Sequence, residues 1–212
     1  SNPARTAIGI QGQSNSLNLK IMNNEIGFGF DPTTTWADSI NSYGIGLVSS
    51  PVYEVVGNKI SGIIKSLSTT PEGMLIGSVA NGIGSNNGLV ANNYFTNIKS
   101  YGIGLAGYGA RGLRLANASG ASNINVINNV FTNIGYGTDA SISFIPVGIY
   151  ISQGGGYNIG YNTIHMANFI DNTALAAVTS AIAFNGVNIA SVNIFNNVVS
   201  NSLNLSAPIG HT

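Results

Sequence analysis

The feature that most constrains the fold is an asparagine that returns at a nearly fixed spacing. Asn24, Asn58, Asn93, Asn129, Asn162 and Asn197 follow one another at intervals of 34, 35, 36, 33 and 35 residues. Three residues before each stands an apolar side chain (Ile21, Val55, Val90, Val126, Ile159, Ile194), and two after it another (Ile26, Ile60, Phe95, Phe131, Ile164, Val199). A self-similar unit of this length predicts a repeat architecture, in which each unit buries its apolar face only against its neighbours.

A second apolar run precedes each asparagine motif. The copies are Ala7-Ile8-Gly9-Ile10, Gly44-Ile45-Gly46-Leu47, Gly102-Ile103-Gly104-Leu105, Gly148-Ile149-Tyr150-Ile151 and Ala181-Ile182-Ala183-Phe184, with Met74-Leu75-Ile76 a degraded member. Short alternating runs bounded by Gly, Asn and Ser read as strands with one buried face. Each period thus holds at least two strands, with no amphipathic helical pattern between them, which points to a solenoid rather than a βαβ sheet. Loops are expected at 31–42, 65–72, 108–122, 135–145 and 171–179, with Pro32, Pro71 and Pro146 in or beside them, where a missing ladder donor does no harm.

These motifs resemble the right-handed parallel β-helix of the pectin-lyase-like superfamily, over nearly the whole chain from Ala7 to Leu205. The resemblance implies an all-β, right-handed parallel β-helix solenoid of about six coils with variable loops, one domain over residues 1–212. Members include polysaccharide lyases and hydrolases, phage tailspikes and adhesins, so the fold does not select an activity. In a parallel stack identical side chains form columns about 4.8 Å apart. An asparagine, with one acceptor and one amide donor, can bond to the copy above and the copy below. An internal Asn ladder at Asn24, Asn58, Asn93, Asn129, Asn162 and Asn197 is the expectation. The neighbouring Asn23, Asn92, Asn128 and Asn196 are expected to face solvent as turn residues.

Composition narrows the partners. Charged residues make up only 7%, against roughly 25% in average soluble domains, and seven basic residues balance seven acidic ones. Such a chain carries no electrostatic footprint for nucleic acid or an anionic membrane, and no apolar run approaches the ~20 residues of a membrane span. Without cysteine there is neither a disulfide framework nor a thiolate metal site. A hydrophobic fraction of 44% argues against disorder. The chain is expected to be a segment of a longer secreted or surface protein whose export signal lies outside it.

Candidate chemistry is sparse. The outward positions of the Ile-Gly strands read Gly9, Gly46, Leu75, Gly104, Tyr150 and Ala183, a nearly bald face without base, nucleophile or metal ligand. Gly9, Gly46, Gly104 and Ala183 are candidates for a flat association surface instead. The carboxylates Glu25, Asp31, Asp38, Glu54, Glu72, Asp139 and Asp171 form no pair of the kind glycoside hydrolysis needs. Arg111 and Arg114 read as solvated loop arginines, although lyases of the resembling fold use arginine as a base or carboxylate clamp. With Tyr101, Tyr108 and Tyr157 they are the candidate carbohydrate contacts. His165 reads as a surface substitution. Neither cofactor nor metal is called for. These residues favour a non-enzymatic extracellular scaffold, adhesin-like and self-associating into a fibre or surface assembly. The alternative is a polysaccharide-binding or polysaccharide-degrading protein.

Overall fold

The computed structural model describes residues 8–13, 16–27, 40, 42–65, 70–77, 84–100, 109–136, 146–166, 169–170, 179–186, 188–202 and 204–205. The described residues form strands and turns only. Sheet A stacks β1 (Ile8–Gly12), β4 (Tyr43–Leu47), β8 (Glu72–Ile76), β12 (Arg111–Ala116), β16 (Val147–Gln153) and β20 (Ser180–Phe184). Sheet B stacks β2 (Leu19–Met22), β5 (Tyr53–Val56), β9 (Gly88–Ala91), β13 (Ile124–Ile127), β17 (Gly155–Gly160) and β21 (Ala190–Phe195). Sheet C stacks β3 (Glu25–Gly27), β6 (Lys59–Ser61), β10 (Tyr94–Phe95), β14 (Val130–Thr132), β18 (Thr163–Met166) and β22 (Val198–Asn201). A short fourth sheet joins β7 (Ile63–Lys65), β11 (Ile98–Ser100) and β15 (Ile134–Tyr136), and β19 (Phe169–Ile170) pairs with β23 (Asn204–Leu205). Every pairing between successive levels is parallel, which makes the chain an all-β parallel solenoid. Only the four inner levels have neighbours on both sides, so the enclosed stack amounts to about four turns where the spacing predicts six.

The apolar columns lie where the repeat places them. Ile21, Val55, Val90, Val126, Ile159 and Ile194 are in register across sheet B, and Ile26, Ile60, Phe95, Phe131, Ile164 and Val199 across sheet C. Inside the stack Phe95 and Phe131 are parallel, with centroids 4.5 Å apart. Such aromatic stacking adds about 0.5–1.5 kcal/mol to area burial.

Between the two columns runs the asparagine ladder. The Oδ1 of each asparagine from Asn58 onward accepts two bonds from the asparagine one level earlier, one from its backbone N–H and one from its Nδ2, all at 2.9–3.0 Å. From Asn58 onward each Nδ2 also donates to the carbonyl of the apolar column one level earlier, as from Asn129 to Val90 at 2.9 Å and from Asn162 to Val126 at 2.9 Å. Asn58, Asn93, Asn129 and Asn162 are buried, so these bonds satisfy amides that water does not reach.

The left-handed turn belongs to the residue before the ladder. Asn23, Asn92, Asn128 and Asn196 have φ of 52–56°, and Gly57 and Tyr161 occupy the same place with φ of 70° and 58°. The Asn-Asn pair therefore divides its work. Its first member tolerates the left-handed backbone, and its second carries the ladder.

Two sequence expectations fail in sheet A. Its fourth strand is Arg111–Ala116, inside the expected loop 108–122, while Gly102-Ile103-Gly104-Leu105 lies outside the described residues. Gly112-Leu113-Arg114-Leu115 has the same small-apolar-x-apolar form as Gly44-Ile45-Gly46-Leu47, and it takes that place in the register. Ile10, not Ile8, pairs with Ile45, which sets Gly9 beside Gly44.

Candidate functional site

The cluster with most chemistry sits on sheet A, and a break in strand alternation builds it. In β12 Gly112 and Leu113 are both buried, between the part-exposed Arg111 and Arg114. A Cβ on Gly112 would meet Phe131 and Ile134 side chains at 2.6 and 2.7 Å, so this position faces the core with no room for a methyl group. Two successive inward positions leave the arginines three apart and both outward.

Register then supplies their partners. Tyr43, Glu72 and Arg111 are aligned on successive levels, as are Leu75, Arg114, Tyr150 and Ala183. Arg111 Nη1 donates to Glu72 Oε1 at 2.7 Å, and Arg114 Nη1 reaches the same oxygen at 3.4 Å. The Arg111 guanidinium lies over the Tyr150 ring, 4.1 Å from its centroid. Arg114 Nε donates to Ser152 Oγ at 3.0 Å, and that hydroxyl donates to Leu115 O at 3.2 Å. Ser152 is the residue of β16 skipped between the pairs Leu115–Ile151 and Ala116–Gln153, and such bulges re-aim a side chain.

Burial dominates the electrostatics. Glu72 is enclosed, and burial pushes its carboxyl above the usual carboxylate range against the pull of Arg111 and Arg114. The direction follows because desolvation outweighs two nearby cations when a carboxyl loses its water. Glu72 Oε2 has no hydrogen-bond partner. The Tyr43 hydroxyl is raised by burial and then by Glu72, with Arg114 and Arg111 opposing. The arrangement is an ion triad backed by an aromatic ring, suited to holding adjacent levels together or to presenting guanidinium edges to an anion.

The sequence candidates divide. Arg111 and Arg114 are strand residues tied to Glu72, rather than free arginines of a loop. Tyr157 is fully buried in the core column of sheet B and offers no face to a sugar. Its hydroxyl donates to Gln153 O at 2.7 Å and accepts from Asn117 N–H at 3.2 Å. Tyr101, Tyr108 and Gly104 lie outside the described residues. Gly9 is not on the outer face: a Cβ there would meet Gly44 O at 2.6 Å and Ile26 at 2.7 Å. Gly46 and Ala183 do share the outward column, in line with Leu75, Arg114 and Tyr150, so bulky side chains interrupt the flat face expected there. His165 stands between Thr132 and Ser200 as expected, with Nδ1 2.6 Å from Ser200 Oγ and Nε2 3.2 Å from Ser202 Oγ.

Sequence reasoning missed three features. The repeat spacing puts Glu72 at the edge of the 65–72 loop, and only the register brings it to the arginines. Ser50, Ser85 and Asn117 form a second buried polar column, in which Ser50 N–H donates to Ser85 Oγ at 3.1 Å and Ser85 N–H to Asn117 Oδ1 at 2.8 Å. Their spacing, close to the repeat period, was the available signal. On the outside of sheet B, Asn193, Asn158 and Asn125 form an amide column, with bonds of 2.8 and 3.0 Å.

Compared with known proteins, the chain matches no family model, no curated protein and no solved structure. The fold defines its class as a parallel β-solenoid with an internal asparagine ladder.

Proposed function

We propose that this chain is a non-enzymatic structural scaffold of the extracellular or cell-surface kind, adhesin-like, and related to the right-handed helices of the pectin-lyase-like superfamily. The observation that carries the reading is where its polar groups are spent. The buried amides bond level to level along the stack, and the charges on sheet A are tied to one another rather than converging on open space. General acid–base work needs a group within reach of a substrate proton. In the triad, Glu72 Oε1 is engaged by both arginines and the carboxyl is enclosed. A rod with in-register sheets and a low-charge surface suits display and assembly.

One observation favours a second reading. Arg111 stacks its guanidinium on the Tyr150 ring, which leaves the guanidinium edge as the group that serves an acidic glycan. Incubation with a panel of acidic and neutral polysaccharides, followed for reducing ends and unsaturated products, separates the two. No turnover is expected. Turnover that disappears in Arg111→Ala establishes the enzyme instead.

A further inference from the structure

The charges on sheet A are tied together without being balanced. Two guanidinium cations share one carboxylate, with Arg111 Nη1 at 2.7 Å and Arg114 Nη1 at 3.4 Å from Glu72 Oε1. The other carboxylates among the described residues lie elsewhere: Glu54 is 3.2 Å from Lys20, and Glu25 stands in register beside Lys59. Among these residues no second anion answers the arginines. Donors are left over as well, because Arg111 uses one N–H, on Glu72, and Arg114 two, on Glu72 and Ser152. A guanidinium carries more than that in its fixed fork. Solvent reaches the arginines and not the carboxylate, since the side chains of Arg111 and Arg114 are 15% and 26% exposed and that of Glu72 only 2%. A ligand therefore meets guanidinium first. Tyr43 from β4 and Tyr150 from β16 face the triad, and its other outward neighbours in register, Gly46, Leu75 and Val147, carry no charge.

We infer that the free edges of Arg111 and Arg114 bind a tetrahedral dianion, phosphate or sulfate, as the counter-charge that the triad lacks. The inference stands apart from the scaffold reading, which a bound ion neither requires nor contradicts. Both Nη1 atoms converge on one oxygen, so a single anion lies within reach of both forks, and such forks take oxyanion oxygens two at a time. The site is also held in shape. The Tyr150 ring against Arg111 and the Ser152 hydroxyl on Arg114 Nε fix the two side chains, which leaves little rotamer freedom to lose on binding. Charge then selects a dianion over a planar monoanion. Burial favours the neutral form of Glu72, and of Tyr43 beside it, so two positive charges remain to be matched. Glu72 Oε2, buried and without a partner, is the oxygen left to carry the proton. Ionised Glu72 competes with the ligand for both arginines, so binding is linked to proton uptake and strengthens as pH falls.

Equilibrium dialysis against radiolabelled sulfate tests this, because sulfate keeps both charges from about pH 5 to about pH 8. Melting temperature is the wrong readout, since sulfate stabilises proteins generally by exclusion from their surface. One sulfate per chain should bind saturably, and more tightly at the lower pH. Arg114→Gln, at the more exposed of the two arginines, should weaken binding roughly tenfold, the loss expected for a charge-assisted hydrogen bond, while circular dichroism stays unchanged. Glu72→Gln keeps the shape and an acceptor for Arg111 but removes the competing charge. It should bind sulfate at about pH 8 as tightly as the parent chain does at about pH 5, a gain that a purely structural ion triad would not give. Binding that never saturates overturns the inference, as does binding indifferent to Arg114→Gln or weakened in Glu72→Gln. Galacturonate, a planar monoanion, bound more tightly than sulfate also overturns it, and supports the glycan reading instead. The source of the dianion is read by comparing inorganic phosphate with methyl phosphate. Equal affinity assigns the site to a phosphate monoester and a preference for inorganic phosphate assigns it to the free ion, and either result upholds the inference. Turnover in the polysaccharide panel removes the scaffold reading and leaves sulfate binding untouched.

Discussion

At the scale of single residues, position in the ladder decides what an asparagine is worth. Asn129 Oδ1 accepts from Asn93 N–H and Nδ2, each at 3.0 Å, and its own Nδ2 reaches Val90 O and Asn162 Oδ1. Asn129→Ala leaves several of these groups buried and unpaired, at about 1–3 kcal/mol each. Asn24 is exposed, so water replaces most of what its side chain does. Urea denaturation should show Asn129→Ala losing about 3 kcal/mol or more and Asn24→Ala about 1 or less, an estimate from those per-group costs. Equal losses would sink the ladder's role in setting register. The two core tyrosines make a similar contrast. Tyr53 Oη is buried without a partner, whereas Tyr157 Oη is bonded on both sides. Tyr53→Phe should be neutral or stabilising, while Tyr157→Phe strands the Asn117 N–H and should cost about 1–3 kcal/mol.

Among the elements, the columns of sheets B and C were legible in the sequence because each core residue sits at a fixed offset from an asparagine. Sheet A was not. Gly102-Ile103-Gly104-Leu105 copies the Gly-Ile pattern more closely than Gly112-Leu113-Arg114-Leu115, and the arginines masked the true strand. A period-2 reading also cannot see the paired inward Gly112 and Leu113, which put Arg111 and Arg114 on one face. Glu72 was invisible as their partner because it lies 39 and 42 residues away and meets them only through register. The triad so formed sets a pH dependence. Burial raises the Glu72 carboxyl above its ordinary value of 4.5, so the folded chain holds that proton more tightly than the unfolded chain does. Stability from this group is therefore fully present below the ordinary value and is lost as pH rises through the folded one. Denaturation midpoints taken from about pH 4 to about pH 8 should fall across that window, and the fall should shrink in Glu72→Gln. A wild-type midpoint that rises instead would mean that the arginines, not burial, govern the carboxyl.

For the molecule as a whole, stability is expected to vary by level. A solenoid is held by nearest-neighbour interfaces, so a level with two neighbours is locked by twice the contacts of a level with one. The inner levels also hold the completely buried core, Val126, Phe131 and Ile164 among it, and the saturated part of the ladder at Asn93 and Asn129. The last level has Ile194 and Val199 open to solvent and should leave the stack by local opening without dragging the rest with it. Amide exchange in dilute solution should therefore be slowest in β10, β13 and β14, and fastest among these sheets in β21 and β22. Uniform protection throughout would show that the stack opens as a single unit.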